Sequence, residues 1–259
     1  MEASGLRALI FDVDGTLAET EHDGHRVAFN RAFEEAGLDW EWDEATYGRL
    51  LAVTGGRERI LQYLASLPPQ RRPADDPDRL AARLHARKTE IFQEMLRQGR
   101  IPLRTGVERL LREARAEGLR LAVATTTTAG NVEALLEANL GPGAPGWFEV
   151  IAAADLAPVK KPAPDVYHVV LGRMGLPPTQ CMAIEDSSNG LRAARAAGVP
   201  VVVTVSHYTR GEDFAGALVV VDCLGGPDRP ARVIRGELDG FDYVDVAALR
   251  WLWRRASSG

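Results

Sequence analysis

Short runs of apolar and β-branched residues recur along the chain and alternate with longer stretches of helical periodicity. Because this alternation is typical of βαβ units, it predicts a mainly parallel sheet flanked by helices. One helix is predicted after Thr105-Gly-Val-Glu108, a capping-box pattern, with Gly118 as its stop. The six predicted strands are Ala8–Phe11, Leu119–Ala124, Val150–Ala153, Met182–Glu185, Val199–Thr204 and Leu218–Asp222.

The stretch between the first two strands has helical periodicity and almost no strand signal. We therefore predict a helical domain over residues 17–100, inserted into an α/β core made of residues 1–16 and 101–259. Asp76-Pro77 is a good helix start, and Pro68–Pro77 is predicted to connect two helices of the insert. Two predicted apolar helix faces consist of Phe29, Ala32, Phe33 and Ala36, and of Ile60, Leu61, Leu64 and Leu67.

Composition excludes several classes of protein. Of the 259 residues 46% are hydrophobic and 26% are charged, as in a folded globular chain. The net charge of −5 disfavours nucleic acid as a partner, because phosphate backbones are bound by an excess of Lys and Arg. No stretch approaches the roughly 20 apolar residues that span a bilayer, so we expect no membrane partner and no secretion. Cys181 and Cys223 form no motif, and their scarcity favours a cytoplasmic location.

Two acidic pairs follow predicted strands. Asp12 and Asp14 stand in an Asp-Val-Asp-Gly-Thr segment directly after the first strand, and Glu185 and Asp186 end the fourth. Open α/β sheets bind their ligands at the carboxyl ends of their strands, so both pairs are candidates for chemistry. A lone Asp-x-Asp-Gly is equally consistent with an ordinary turn, because Asp and Gly favour turns. Taken alone, neither acidic pair decides between a site and a solvated loop.

Two further segments follow strands. Thr125-Thr-Thr-Thr128 comes after the second strand, where hydroxyl groups and backbone N–H groups at a helix entry can hold phosphate oxygens. Lys160-Lys161-Pro162 puts lysine on a proline-stiffened loop before another helix. Threonines are common helix caps and most lysines are merely solvated, so each signal is weak by itself.

In this order, and each at a strand end, the four segments resemble the motifs of the haloacid dehalogenase superfamily of phosphohydrolases. The resemblance covers nearly the whole chain and implies a Rossmann-like core with an inserted helical cap domain. It implies Asp12 as a nucleophile that forms an aspartyl-phosphate and Asp14 as general acid and then base. It further implies a Mg²⁺ site of Asp12, Asp14, Glu185 and Asp186, and phosphoryl contacts from Thr125, Thr126, Thr127 and Lys161. We prefer Lys161 to Lys160 because it directly precedes Pro162, as in the family pattern.

Segments of the predicted cap resemble the CbbY proteins, whose group in the superfamily comprises phosphatases of xylulose 1,5-bisphosphate. The segments are Asp14–Glu21, His25–Asn30 and Thr54–Arg59. The implied partner is a small phosphorylated sugar. We expect the protein to be a monomer. A sugar phosphomutase of the β-phosphoglucomutase type and a non-catalytic phospho-accepting module remain as alternatives. The expected substrate-binding residues of the cap are Glu21, His25, Tyr47, Gly55, Gly56, Arg57, Glu58 and Arg59.

Overall fold

The computed structural model describes residues 5–53 and 55–257, so Thr54 of the predicted cap loop lies outside the described residues. The chain divides into two compact units. The first contains the chain up to Glu19 and from Pro102 onward, and the second is Thr20–Ile101. The assignment of the first unit as a catalytic core and of the second as a cap that selects substrate stays a prediction.

The secondary structure of the first unit alternates strands with helices, whereas that of the second is helical. The strands are β1 (Ala8–Phe11), β2 (Arg120–Ala124), β3 (Phe148–Ala152), β4 (Cys181–Glu185), β5 (Val201–Thr204), β6 (Val219–Val221) and β7 (Val233–Gly236). The α-helices are α1 (Arg26–Glu35), α2 (Glu44–Leu50), α3 (Gly56–Ser66), α4 (Pro77–Arg97), α5 (Val107–Ala116), α6 (Ala129–Leu140), α7 (Asp165–Met174), α8 (Ser188–Ala196) and α9 (Val246–Ser257). Shorter helical turns are the π-helix Thr20–His25 and the 3₁₀ segments Pro69–Arg71, Ala144–Trp147 and Pro178–Gln180.

The sheet of the first unit has the strand order β3-β2-β1-β4-β5-β6-β7. All six predicted strands are present and pair in parallel, which confirms the α/β fold. The seventh strand, β7, pairs antiparallel with β6 at the sheet edge and was not predicted. Its four residues are all exposed, so it lacks the apolar run that marks the buried strands.

Strand β1 lies in the middle of this sheet, with Ile10 opposite Ala122 of β2 and Ala183 of β4. All four residues of β1 are buried, as expected for a central parallel strand covered by helices on both faces. The chain proceeds from β1 to β2 and β3 on one side and then returns to β4 on the other. That reversal opens a crevice at the carboxyl ends of β1 and β4.

Helix α5 forms where predicted, but its start differs from the predicted capping box. Gly106 precedes the helix with φ +87°, and the Thr105 hydroxyl instead accepts a hydrogen bond from Arg229. A Cβ at Gly106 would lie 2.3 Å from the carbonyl oxygen of Gly225. The close approach of these two backbone segments therefore requires a glycine here and displaces the threonine from the cap position. Gly118 ends the helical segment with φ +74°, as predicted.

The second unit has its own aromatic core. Trp42 is fully buried against Phe29 and Phe33 of α1, at ring-centroid distances of 4.6 and 4.9 Å. Ala36, predicted on the same helix face, is exposed, because α1 ends at Glu35. Helix α4 starts as predicted, since the side chain of Asp76 accepts a hydrogen bond from the backbone N–H of Arg79. Among the described helices, none combines the length and the apolarity needed to cross a bilayer.

Candidate active site

Three carboxylates meet in the crevice between β1 and β4. Asp12 directly follows β1, while Glu185 ends β4 and Asp186 follows it. The pairing of Phe11 with Ile184 brings the two strand ends side by side. One carboxylate oxygen from each of the three acids lies within 4.8 Å of the others, and all three residues are buried. Carboxylate oxygens grouped in this way suit a hard divalent cation such as Mg²⁺.

Lys161 supplies the positive charge that accompanies these acids. Its Nζ donates to Asp12 Oδ1 at 2.7 Å, to Glu185 Oε1 at 2.6 Å and to the Ala124 carbonyl oxygen at 2.9 Å. Burial would lower the pKa of this ammonium group, but the adjacent carboxylates outweigh burial and raise it above its ordinary value. Lys161 is therefore a fixed cation with all three donor positions occupied. The neighbouring Lys160 is exposed.

The acids themselves are held at an electrostatic cost. Burial raises the pKa of Glu185 to about 7, although Lys161 acts against the shift. Burial and the nearby Asp12 carboxylate raise the pKa of Asp186 well above its ordinary value, and the hydrogen bond from Ser206 only partly opposes them. Glu185 Oε2 is buried and has no hydrogen-bond partner among the described residues. A divalent cation would offset the repulsion among these carboxylates and give such an oxygen a ligand role, so the residues present fit the metal.

Glycines allow the acidic groups to approach so closely. Gly15 has φ +85°, and a Cβ there would lie 2.1 Å from Asp186 Oδ2. A Cβ on Gly190, in the first turn of α8, would lie 1.8 Å from Glu185 Oε2. The loop from Asp14 turns back through a hydrogen bond from the Gly15 N–H to the Ala18 carbonyl oxygen at 2.8 Å. The half-buried Asp14 is therefore carried on a tight loop beside the buried acids.

The threonine segment follows β2 and precedes α6. The backbone N–H of Thr125 donates to the Ala152 carbonyl oxygen at 3.0 Å, which fixes the segment on the end of β3. Thr125 is buried, and its hydroxyl oxygen accepts from the Thr127 N–H at 3.2 Å. Thr128 caps α6 by accepting a hydrogen bond from the Asn131 N–H. A hydroxyl group held in this way still has its own proton to donate to an anion.

Within the second unit, a separate polar cluster forms around Arg59. Tyr47 donates a short hydrogen bond to Glu21 Oε2, and Arg59 Nη1 donates to the Tyr47 hydroxyl oxygen at 3.3 Å. Arg59 Nη1 is also 3.8 Å from Glu21 Oε2. Of the predicted cap residues, these three are thus brought together. Arg57 points elsewhere and forms an exposed ion pair with Asp78 at 2.6 Å.

The other predicted cap residues lie near the start of α3 and directly before α1. Gly55 precedes α3 with φ +100°, and a Cβ there would lie 2.1 Å from Glu58 Oε2. A Cβ on Gly56 would lie 2.7 Å from the ring of His85, so a larger residue at this helix start would have to displace that ring. The His25 ring forms a hydrogen bond with Lys88 and not with the cluster around Arg59.

Among the buried polar residues that touch predicted site residues, sequence reasoning missed Lys88 and Tyr167, as well as Ser206 beside Asp186. Lys88 is 8% exposed, and its ammonium group lies 2.8 Å from Nδ1 of His25. Burial and the charges of Lys88 and Arg59 lower the pKa of His25 well below its ordinary value, so the neutral imidazole accepts this hydrogen bond. The available signal was a lysine within the apolar stripe of α4. Tyr167, which donates a short hydrogen bond to Glu185 Oε1, gave no such signal, because aromatic residues are ordinary in helices.

The chain matches the haloacid dehalogenase-like hydrolase family over residues 6–198. It is 48% identical over 246 residues to the plasmid-encoded CbbY protein of Cupriavidus necator. The match covers 95% of this chain and 96% of that protein. It is 36% identical over 198 residues to the fructose-1-phosphate phosphatase YqaB of Escherichia coli, covering 75% of this chain and 94% of that protein.

A solved structure agrees with these sequence matches. It is the crystal structure of a CbbY point mutant from Rhodobacter sphaeroides in complex with xylulose-(1,5)bisphosphate, which is 47% identical to this chain. The match covers 86% of this chain and 98% of that one, with a TM-score of 0.72. The family match over residues 6–198 includes the segments that carry the acidic crevice. The chain therefore belongs to the haloacid dehalogenase-like hydrolases and, within that family, to the CbbY proteins.

Proposed function

We propose that this chain is a Mg²⁺-dependent phosphatase that hydrolyses a small sugar bisphosphate, xylulose 1,5-bisphosphate, through an aspartyl-phosphate on Asp12. The observation that carries the proposal is the buried Asp12 carboxylate, held at 2.7 Å by Lys161 inside a group of three acids. A carboxylate fixed next to a permanent cation is suited to attack an anionic phosphoryl group, because the cation offsets their mutual repulsion.

In the first half of the reaction, an Asp12 oxygen bonds to phosphorus while the bond from phosphorus to the sugar oxygen breaks. The leaving oxygen takes a proton from the Asp14 carboxyl group, which becomes a carboxylate. In the second half, Asp14 accepts a proton from water as the water oxygen bonds to phosphorus. The bond from phosphorus to Asp12 then breaks, so the enzyme returns to its starting protonation state.

Other residues of the first unit position the phosphoryl group and its charge. We assign the Thr125 hydroxyl group and the backbone N–H groups of Thr126 and Thr127 to the phosphoryl oxygens. Lys161 balances negative charge on Asp12 and on the phosphate throughout. Bound Mg²⁺, held by Asp12, the Asp14 backbone carbonyl, Asp186 and Glu185, would neutralise charge on the phosphoryl oxygens.

The choice of a bisphosphate rests on the second unit and on the CbbY relative that was crystallised with xylulose-(1,5)bisphosphate. The cluster of Glu21, Tyr47 and Arg59 offers a guanidinium group together with acceptors for sugar hydroxyl groups. We assign the second, non-reacting phosphate to Arg59, with the glycine-rich start of α3 at Gly55 and Gly56 beside it in sequence. Arg57 is the weaker candidate because it lies outside this cluster, in an exposed ion pair with Asp78. Glu58 and His25 complete the proposed cap residues.

The test compares kcat/KM with Mg²⁺ for xylulose 1,5-bisphosphate, fructose 1-phosphate and β-glucose 1-phosphate. We expect release of inorganic phosphate to be fastest from the bisphosphate, and no turnover by Asp12→Asn with an unchanged circular dichroism spectrum. Conversion of β-glucose 1-phosphate to its 6-phosphate isomer without phosphate release would instead identify a mutase. Binding without turnover of any substrate would identify a phospho-accepting module, and full activity of Asp12→Asn would remove the nucleophile.

A further inference from the structure

Arg104 is a buried guanidinium group that makes four side-chain hydrogen bonds and one ion pair. It is the third residue of the segment that returns to the first unit at Pro102, and its side chain is 9% exposed. Arginine has five N–H donor positions, and the four on Nη1 and Nη2 of Arg104 each have a hydrogen-bond acceptor among the described residues. All four acceptors are backbone carbonyl oxygens, those of Gly15 and Thr204 on Nη1 and of Val205 and Asp222 on Nη2. The fifth position, Nε, faces Glu19 in an ion pair.

These acceptors join segments that are far apart in the chain. Thr204 and Val205 lie at the end of β5, and Asp222 directly follows β6. Their carbonyl oxygens are 2.9, 2.6 and 3.0 Å from the guanidinium nitrogens of Arg104. Glu19, at 3.1 Å, is the last residue of the first unit before the chain enters the second. Arg104 therefore ties the loop that bears the proposed acid to the carboxyl edge of the sheet.

The contact with Gly15 determines where that loop stands. The Gly15 carbonyl belongs to the residue directly after Asp14, so moving it moves the backbone of the proposed acid. Gly15 also has no space to shift towards the acids, because even a Cβ would lie 2.1 Å from Asp186 Oδ2. The backbone N–H of Arg104 additionally donates to the Leu17 carbonyl oxygen at 2.8 Å. Arg104 thus holds the loop at two carbonyl groups, that of Gly15 through its side chain and that of Leu17 through its backbone N–H.

From this geometry we infer that Arg104 is a positioning residue for catalysis, which fixes the Asp14–Gly15 backbone relative to Asp12 and Asp186. The inference rests on the proposed function, since it concerns the same acidic crevice. Nothing in the arrangement requires Arg104 to touch the substrate. Its loss should lower kcat more than it raises KM, because a displacement of about 1 Å at a reacting group can reduce the rate about 100-fold.

Arg109 provides a matched control in the same unit. It is also a partly buried arginine that binds backbone carbonyls, those of Gly225 at 3.1 Å and Val244 at 2.8 Å, together with Glu113 at 3.0 Å. These partners belong to α5 and to the C-terminal part of the chain, away in sequence from the Asp14 loop. A lysine has three donors instead of five, so Arg104→Lys and Arg109→Lys remove similar numbers of hydrogen bonds.

Both variants should lower Tm, and each is assayed at the same interval below its own Tm with Mg²⁺ and xylulose 1,5-bisphosphate. We expect Arg104→Lys to lose at least tenfold in kcat with KM changed less than threefold, and Arg109→Lys to keep kcat within twofold. Equal kcat losses in the two variants, or a normal kcat in Arg104→Lys, would overturn the inference. If Arg104→Lys does not fold, Glu19→Gln replaces it. That variant should lose two- to fivefold in kcat at constant KM, and an unchanged kcat would count against the inference.

A second measurement does not depend on the sugar. Trifluoroberyllate with Mg²⁺ mimics a phosphoryl group on an aspartate, and its binding can be followed by ¹⁹F NMR. We expect Arg104→Lys to bind it at least tenfold more weakly than Arg109→Lys does. If this difference appears while the wild-type protein hydrolyses no sugar phosphate, the positioning role stands and the substrate assignment fails. If the wild-type protein does not bind trifluoroberyllate, the proposed aspartyl-phosphate chemistry fails, and the inference fails with it.

Discussion

Replacing Lys161 by methionine tests whether one lysine makes the acidic crevice compatible with the fold. The ammonium group of Lys161 is the shared partner of Asp12 and Glu185, at 2.7 and 2.6 Å, and the Glu185 side chain is fully buried. Methionine reproduces the lysine side chain as far as Cε but leaves the two carboxylates without their cation. Breaking a buried ion pair by removing one partner costs about 3–5 kcal/mol. For a domain of about 150–250 residues this corresponds to a decrease in Tm of about 6–20 °C.

The loss should depend on pH, because protonation can replace the missing cation. The pKa of Glu185 is already raised to about 7, and removal of Lys161 removes an interaction that lowers it. At pH 5.5 Glu185 is therefore mostly neutral and the penalty is smaller, whereas at pH 8 a larger part of the penalty is present. The assay is thermal unfolding followed by circular dichroism in EDTA, at both pH values.

The matched control for this experiment is Lys160→Met, which removes the neighbouring exposed lysine. We expect Lys160→Met to change Tm by less than about 2 °C, as is usual for surface substitutions. With Mg²⁺ and substrate, Lys161→Met should also lose at least about 100-fold in kcat, the magnitude found when a charge-stabilising group is removed from an active site. The reasoning is refuted if Lys161→Met and Lys160→Met have the same Tm at pH 8, or if the decrease is equal at both pH values.

Three further predictions follow from the geometry. Arg59→Ala should raise KM for the bisphosphate at least about tenfold, since a charged hydrogen bond contributes about 1.5–3 kcal/mol. KM for a monophosphate should change less than threefold. A larger increase in KM for the bisphosphate in Arg57→Ala would assign the second phosphate to Arg57 instead. In EDTA, Tm should fall as pH rises from about 4.5 to about 7, because folded Glu185 keeps a proton that the unfolded chain has already released. Added Mg²⁺ should restore Tm at pH 8, and a Tm that does not respond to it would contradict a metal site. Gly190→Ala places a Cβ 1.8 Å from Glu185 Oε2, so it should lower both Tm and kcat, whereas Gly172→Ala, which meets no atom within 4 Å, should change kcat by less than twofold.

The elements of the sheet could be predicted because each buried strand is a local apolar run. Strand β1, for example, was predicted with its observed bounds of Ala8–Phe11. Strand β7 was missed because an exposed edge strand has no such run. The capping box at Thr105 was wrong for a tertiary reason, since the approach of Gly225 gives the cap position to Gly106. Local patterns therefore predicted where helices and strands form better than how their ends are built.

The candidate site divides in a similar way. The order of motifs predicted that Asp12, Lys161 and Asp186 follow different strands, and parallel pairing brings the ends of those strands to one edge. Local sequence placed Lys88 within an apolar helix stripe but carried no sign that this lysine contacts His25. It also carried no sign that Arg57 pairs with Asp78 while Arg59 joins Tyr47. These outcomes depend on side chains that are distant in sequence.

By itself, the sequence determined the α/β class, the sites of the strands and the residue types that can carry phosphoryl chemistry, because each of these depends on local pattern. Only the tertiary structure decided which charges are buried and what each one faces. Lys161 meets Asp12 across 149 positions of chain, and Arg104 meets Asp222 across 118. The strength of an electrostatic interaction depends on distance and burial, and neither quantity exists until the chain has folded.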